Sequence, residues 1–137
     1  MSHPKIVRVS DVMKKEVDIV DGKLTVKEAL LAMRNPETRA LIIDKRDEND
    51  EYGMVLLTDI AKKVLAADRS PERTNLYEIM AKPVLGVHPK MDIRYCAQLL
   101  ERFSIMRAPV IDQGRVVGIV GYHDLVLQGM MQMMRGA

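Results

Sequence analysis

Apolar and polar positions along this chain form a pattern that is written twice. In the first copy Val17 to Val20 is a short run with strand character, and Asp21-Gly22 after it is a turn pair. Thr25 stands as a helix N-cap with Glu28 three residues on, the spacing of a capping box. Val26, Ala29, Leu30 and Met33 recur at helical spacing and share one apolar face. Asn35-Pro36 ends that helix, because proline disfavours a helical conformation in the residue before it. Leu41-Ile42-Ile43 predicts a short buried strand, Lys45 to Glu51 a polar loop, and Met54 to Leu57 the next strand. Thr58-Asp59 then opens a helix running through Ala67.

Asp68-Arg69-Ser70-Pro71 marks the boundary, giving a first repeat at 1–68, a linker at 69–74 and a second repeat at 75–137. Asn75 reads as the N-cap of a helical turn ending near Ala81. Val84 to Val87 matches the first strand, with His88-Pro89 in place of Asp-Gly. Asp92 sits where Thr25 sat, ahead of a helix through Phe103. Val110-Ile111 and Val116 to Val120 are paired strands joined by Asp112-Gln113-Gly114-Arg115, a tight hairpin signal.

The correspondence holds at nearly constant spacing. Val12-Met13 returns as Ile79-Met80 67 residues later, and Arg39 to Asp44 returns as Arg107 to Asp112 after 68. Gly53-Met54-Val55 with Asp59-Ile60 returns after 65 residues as Gly118-Ile119-Val120 with Asp124-Leu125. A three-stranded unit of about 60 residues is marginal alone, with one sheet face uncovered. Two copies placed sheet to sheet cover each other and leave paired clefts, which is where function should be sought.

Composition narrows the picture. Apolar residues make up 47% and charged residues 29% of the 137 positions, as in an ordinary globular protein. Trp is absent and Phe103 is the one Phe, so the core must come from Leu, Ile, Val, Ala and Met. A net charge of +2 with no basic helix face argues against nucleic acid as a partner. Cys96, the sole cysteine, excludes an internal disulfide, reads as a buried helical position and points to a reducing cytoplasm. The start, Met-Ser-His-Pro-Lys, lacks the apolar stretch of a signal peptide, and no run approaches the roughly 20 apolar residues of a membrane span. A soluble cytoplasmic protein without membrane contact is expected. His3 and His88 have no companions at ligand spacing, so no metal site is expected either.

Thr25 to Leu30 (Thr-Val-Lys-Glu-Ala-Leu), Arg107 to Asp112 (Arg-Ala-Pro-Val-Ile-Asp) and Gly118 to Leu125, with Val12-Met13 and Ile79-Met80, cover nearly the whole chain. In this order the chain resembles a CBS domain pair, or Bateman module. The resemblance implies an α+β fold of two tandem β-α-β-β-α repeats packed sheet to sheet with pseudo-two-fold symmetry. It also implies a non-catalytic regulatory module that binds an adenosine-containing ligand in an inter-repeat cleft: AMP, ADP, ATP or S-adenosylmethionine. Signalling would run through dimer assembly, with a regulated protein partner. No cofactor would be required; an adenine nucleotide or S-adenosylmethionine would be the bound molecule.

The family's ribose and phosphate segment runs Gly, two apolar residues, Ser or Thr, two further residues, then Asp. The carboxylate accepts ribose hydroxyls, and the hydroxyl with helix-start amides holds a phosphate. Asp59 and Asp124 occupy the acidic position, but Leu56 and Gly121 replace the hydroxyl residue. Gly121 leaves amides open to close approach, so the cleft carrying Asp124 ranks above the one carrying Asp59, where Thr58 is the substitute hydroxyl. The alternative role for both acids is a first-turn residue favoured by the helix dipole. Arg39 and Arg107 match a position from which basic residues reach phosphates, and either could equally be a surface arginine. Met54, Ile119, Val84 and Val20 are the candidate walls of an adenine slot, or plain core. His123 stands beside Asp124 as a phosphate contact or a capping residue.

Val126, Met130, Met133 and Met134 share a face of the last helix. Such a face can complete the core, but flexible methionines suit a homodimer interface, which is the expectation. The rival to a sensor is a ligand-free interaction module, favoured by Leu56 and Gly121. No nucleophile–base pair, metal triad or Gly-rich phosphate loop supports an enzyme.

Overall fold

The computed structural model describes residues 5–135. His3 and the other residues before Lys5 lie outside that range. In chain order the elements are α1 (Val9–Val12), β1 (Ile19–Val20), α2 (Val26–Ala32), β2 (Ala40–Ile43), β3 (Gly53–Leu56), α3 (Leu57–Ile60), α4 (Ile93–Arg102), β4 (Arg107–Asp112), β5 (Arg115–Gly121) and α5 (Met131–Arg135). Single 3₁₀ turns occupy Pro36–Thr38 and Leu76–Glu78, and π-helical segments occupy Ala61–Leu65 and Asp124–Met130. The result is α+β with two tandem repeats, as expected.

The described residues form two compact units that do not follow chain order. One joins residues 5–15 to 85–135, and the other is Glu16–Val84. The opening segment therefore packs with the second repeat, and the linker with the turn after it packs with the first.

In the unit Glu16–Val84 the strand order is β1-β2-β3, with β1 parallel and β3 antiparallel to β2. Thr25 caps α2 as anticipated: its hydroxyl accepts the Glu28 N–H at 3.1 Å while Glu28 accepts the Thr25 N–H at 2.9 Å. Val26 and Ala29 of α2 meet Leu41, Ile43 and Val55 of the sheet, with Leu76 and Ile79 closing the same core. Those two residues come from the segment after the linker, which is pinned by Leu76 N–H to the Leu24 carbonyl and by Ala81 paired with Met54. The first strand is shorter than expected, Ile19–Val20 rather than Val17 to Val20; just before it the Asp18 carbonyl accepts the Ile42 N–H while its carboxylate accepts the N–H groups of Arg34 and Asn35. The helix after β3 starts one residue early, at Leu57, and relaxes into π geometry at Ala61.

The other unit is organised by α4 against a hairpin. The Asp92 side chain accepts the Arg94 N–H at 2.9 Å, opening α4. Ile93, Cys96 and Leu100 then face Ala108, Val110 and Val120. Burying such a side chain fully is worth ~1.5–3 kcal/mol. Gln113 and Gly114, with φ of 51° and 78°, make the two-residue turn that the Asp-x-Gly signal predicts. The paired strands are longer than the apolar runs alone, Arg107–Asp112 and Arg115–Gly121. Val84 to Val87 forms no strand; Val87 alone bridges Val110 in parallel. A Cβ on Gly86 would lie 2.6 Å from Ile111 Cδ1, so the segment runs close against β4 there.

Burial pushes the Cys96 thiol up to about 11. Since the thiolate is the reactive form, Cys96 should remain unmodified by Ellman's reagent at pH 8 in the native protein. Release in denaturant should give one thiol per chain. Rapid native labelling would contradict this packing.

Candidate functional site

Each unit carries an acidic residue where its last strand turns into a helix. In one, β5 ends at Gly121 and Asp124 follows; in the other, β3 ends at Leu56 and Asp59 follows. Each carboxylate turns back onto the amide three residues earlier. The Gly121 N–H donates to Asp124 Oδ2, and the Leu56 N–H to Asp59 Oδ2, both at 2.9 Å. The two bonds satisfy backbone donors that a helix start leaves without partners.

The similarity ends there. Asp124 is buried, and its other oxygen, Oδ1, is taken by the Lys14 ammonium. Lys14 arrives because residues 5–15 pack in this unit, with Lys14 paired to Ile119 through two backbone bonds of 2.9 Å. Ala81 holds the equivalent place beside Met54 in the other unit, so Asp59 receives no such cation. Asp59 is half-buried, and only Oδ2 has a hydrogen bond among the described residues.

The structure brings Gly121, Arg107 and Asp124 together. Arg107 pairs with Gly121 across the hairpin, and a Cβ on Gly121 would lie 3.3 Å from that of Arg107. Ile119 is buried on the sheet face opposite Val120, which faces the α4 core. His123 is exposed one residue before Asp124. In the other unit Met54 is buried, on the face opposite Val55, while Thr58 is exposed. Arg39 is exposed, takes a left-handed conformation with φ of 58°, and its carbonyl accepts the Leu57 N–H. Val20 and Val84 are half-buried in this unit, and Val20 lies beside Ile43, at the end of the sheet opposite Asp59.

Lys14 is the residue that sequence reasoning missed. Its signal was one step beyond the repeat: Met13-Lys14 against Met80-Ala81 sets a cation opposite a methyl. Among the described residues no group of three His, Cys, Asp or Glu side chains converges to hold a metal, and no helix is long and apolar enough to cross a membrane.

A duplicated α+β unit with an acid folded back onto the end of each sheet defines a tandem-repeat module. The CBS domain family matches residues 9–66 and 76–128, and the chain belongs to that family. It is 30% identical over 122 residues to the CBS domain-containing protein YhcV of Bacillus subtilis (strain 168), covering 89% of this chain and 85% of that protein. The hexameric CBS-CP12 protein from bloom-forming cyanobacteria is similar at 35% identity with a TM-score of 0.86, over 90% of this chain and 72% of that one. The CBS domain pair of protein MJ0100, solved in complex with 5′-methylthioadenosine and S-adenosyl-L-methionine, is 27% identical with a TM-score of 0.75, over 90% and 95% of the two chains.

Proposed function

We propose that the chain is a non-catalytic sensor that binds an adenosine-containing ligand of the AMP, ADP, ATP or S-adenosylmethionine type, in the cytoplasm, and signals through homodimer assembly. The observation that carries this reading is the pair Asp59 and Asp124, each oriented by a backbone amide at the end of its sheet, a carboxylate being the acceptor that ribose hydroxyls need. The adenosine compounds bound by the MJ0100 pair support the ligand class. Accessibility moves Asp59 ahead of Asp124 in this reading. A ribose must displace Lys14 to reach Asp124, whereas Oδ1 of Asp59 has no hydrogen bond to displace among the described residues. Arg39 and Arg107 are the phosphate-reaching cations, with Thr58 and His123 as polar neighbours and Met54 and Ile119 as apolar walls.

Titration calorimetry with AMP, ADP, ATP, S-adenosylmethionine and NAD tests the reading. At least one should bind with a Kd below about 1 mM, or roughly −4 kcal/mol. Asp59→Asn retains an acceptor for the Leu56 N–H but loses the charge. It should raise that Kd roughly tenfold, with little change in melting temperature. No heat with any of the five overturns the reading.

A second reading rests on the last helix. Met133 packs on the core, but Val126, Leu127, Met130 and Met134 are exposed. The expected four-residue face is split because Asp124–Met130 is π-helical, with a period longer than 3.6. An interaction module would use this apolar surface to dimerise, and no nucleotide would alter its sedimentation.

A further inference from the structure

The unit Glu16–Val84 carries an open cavity of about 890 Å³ where β1 and β2 end. Ile43, which is buried, and Tyr77, which is 54% exposed, both line it. Lys23, Lys45, Arg46 and Lys82 line the same opening. The Asp50 carboxylate draws two of these cations together, at 2.8 Å from Lys82 Nζ and 3.0 Å from Arg46 Nε. Bonds from the Arg46 side chain, then from Lys82, hold that carboxyl well below the usual carboxylate range. Asp21 and Asp44 also line the opening, each with one oxygen committed to the backbone N–H of Lys23 or Lys45 at 2.8 Å. Cations outnumber acids even when Asp50 is counted.

This is not the Asp59 site. Ile43 pairs with Gly53 at one end of β2 and β3, and Ala40 with Leu56 at the other. Three residue steps separate those ends by roughly 10 Å along the strands. Part of the lining recurs, since Lys23, Lys82, Ile43 and Asp44 correspond to Lys90, Lys15, Ile111 and Asp112. In the other unit Ser10 stands at the place of Tyr77, Gln113 at that of Lys45 and Gly114 at that of Arg46. Tyr77, Lys45 and Arg46 are therefore particular to this unit.

We propose that this cavity is a second small-molecule site, taking an organic phosphate whose flat apolar body lies against Tyr77 and Ile43 and whose phosphate meets the lysine and arginine rim. An aromatic wall with a few convergent polar groups is the usual make-up of a ligand pocket. A phosphate dianion suits several cations, one of them a guanidinium fork able to donate two bonds.

Phenyl phosphate is the probe, titrated calorimetrically into the full chain, with inorganic phosphate and benzoate alongside. Phenyl phosphate should bind with a Kd below about 1 mM, and both comparison anions more weakly. Tyr77→Ser and the exposed Lys23→Glu should each raise its Kd roughly tenfold. Asp59→Asn should leave it unchanged, which separates this site from the adenosine reading. Circular dichroism establishes that each variant is folded, and Lys23→Glu alone suffices if Tyr77→Ser is not. No binding, binding indifferent to the folded cavity variants, or binding lost in Asp59→Asn overturns the proposal.

Discussion

Gly118→Ala should lower the unfolding free energy by about 2–3 kcal/mol, read as a fall in the urea midpoint at unchanged slope. A Cβ there would lie 2.7 Å from the Lys14 carbonyl oxygen and 2.8 Å from Met13 Sδ. The sulfur can swing away, but the carbonyl cannot. It accepts the Ile119 N–H at 2.9 Å, and the Lys14 N–H returns a bond of the same length to Ile119. These two bonds anchor residues 5–15 to β5, so relief of the clash loosens the anchor itself. The repeat supplies its own control. At the equivalent Gly53 the close atom is Met80 Sδ at 2.8 Å, and the Ala81 carbonyl oxygen stands off at 3.3 Å. Gly53→Ala should therefore cost only about 1 kcal/mol, since a methionine end can repack. Equal losses at the two glycines would show that the carbonyl contact does not govern Gly118.

The same contrast explains what was legible in the sequence. Short-range chemistry read correctly: the Thr25–Glu28 capping box, Asp92 ahead of α4, and the Gln113-Gly114 turn all depend on residues within a few positions. The duplication, too, could be read from spacing alone. The packing of residues 5–15 beside β5 could not, because nothing local to Val9–Val12 says which sheet it will meet. Lys14 and Asp124 lie 110 positions apart, so their pairing follows from tertiary packing and not from any pattern. The π geometry at Asp124–Met130 was equally hidden. Gly129 is buried there, and a Cβ on it would stand 2.4 Å from Ile93 Cδ1, so α4 passes close to the helix. That close approach, absent from any helical-wheel reading, accompanies the redistribution of the methionines.

Asp124→Ala should cost about 2–3 kcal/mol of stability, so by itself it does not diagnose a ligand contact. The substitution strands two groups. The buried Gly121 N–H loses its acceptor, worth ~1–3 kcal/mol. The Lys14 ammonium loses its partner, but that side chain is 35% exposed and partly resolvates, which holds the total below the 3–5 kcal/mol typical of a broken buried pair. Lys14→Met separates structure from binding. Its unbranched stem keeps the packing and Asp124 keeps the Gly121 N–H, but a carboxylate only 10% exposed loses its cation, so the loss should be about 1–2 kcal/mol. A double-mutant cycle on the two positions should return a coupling on the order of 1 kcal/mol in urea denaturation. The two roles of Asp124 then diverge in calorimetry. If its carboxylate can serve a ribose, removing Lys14 leaves Oδ1 open, and an adenosine ligand should bind this unit several-fold more tightly than in the parent chain. If Asp124 serves only to hold residues 5–15 in place, Lys14→Met lowers stability and leaves every ligand affinity where it was.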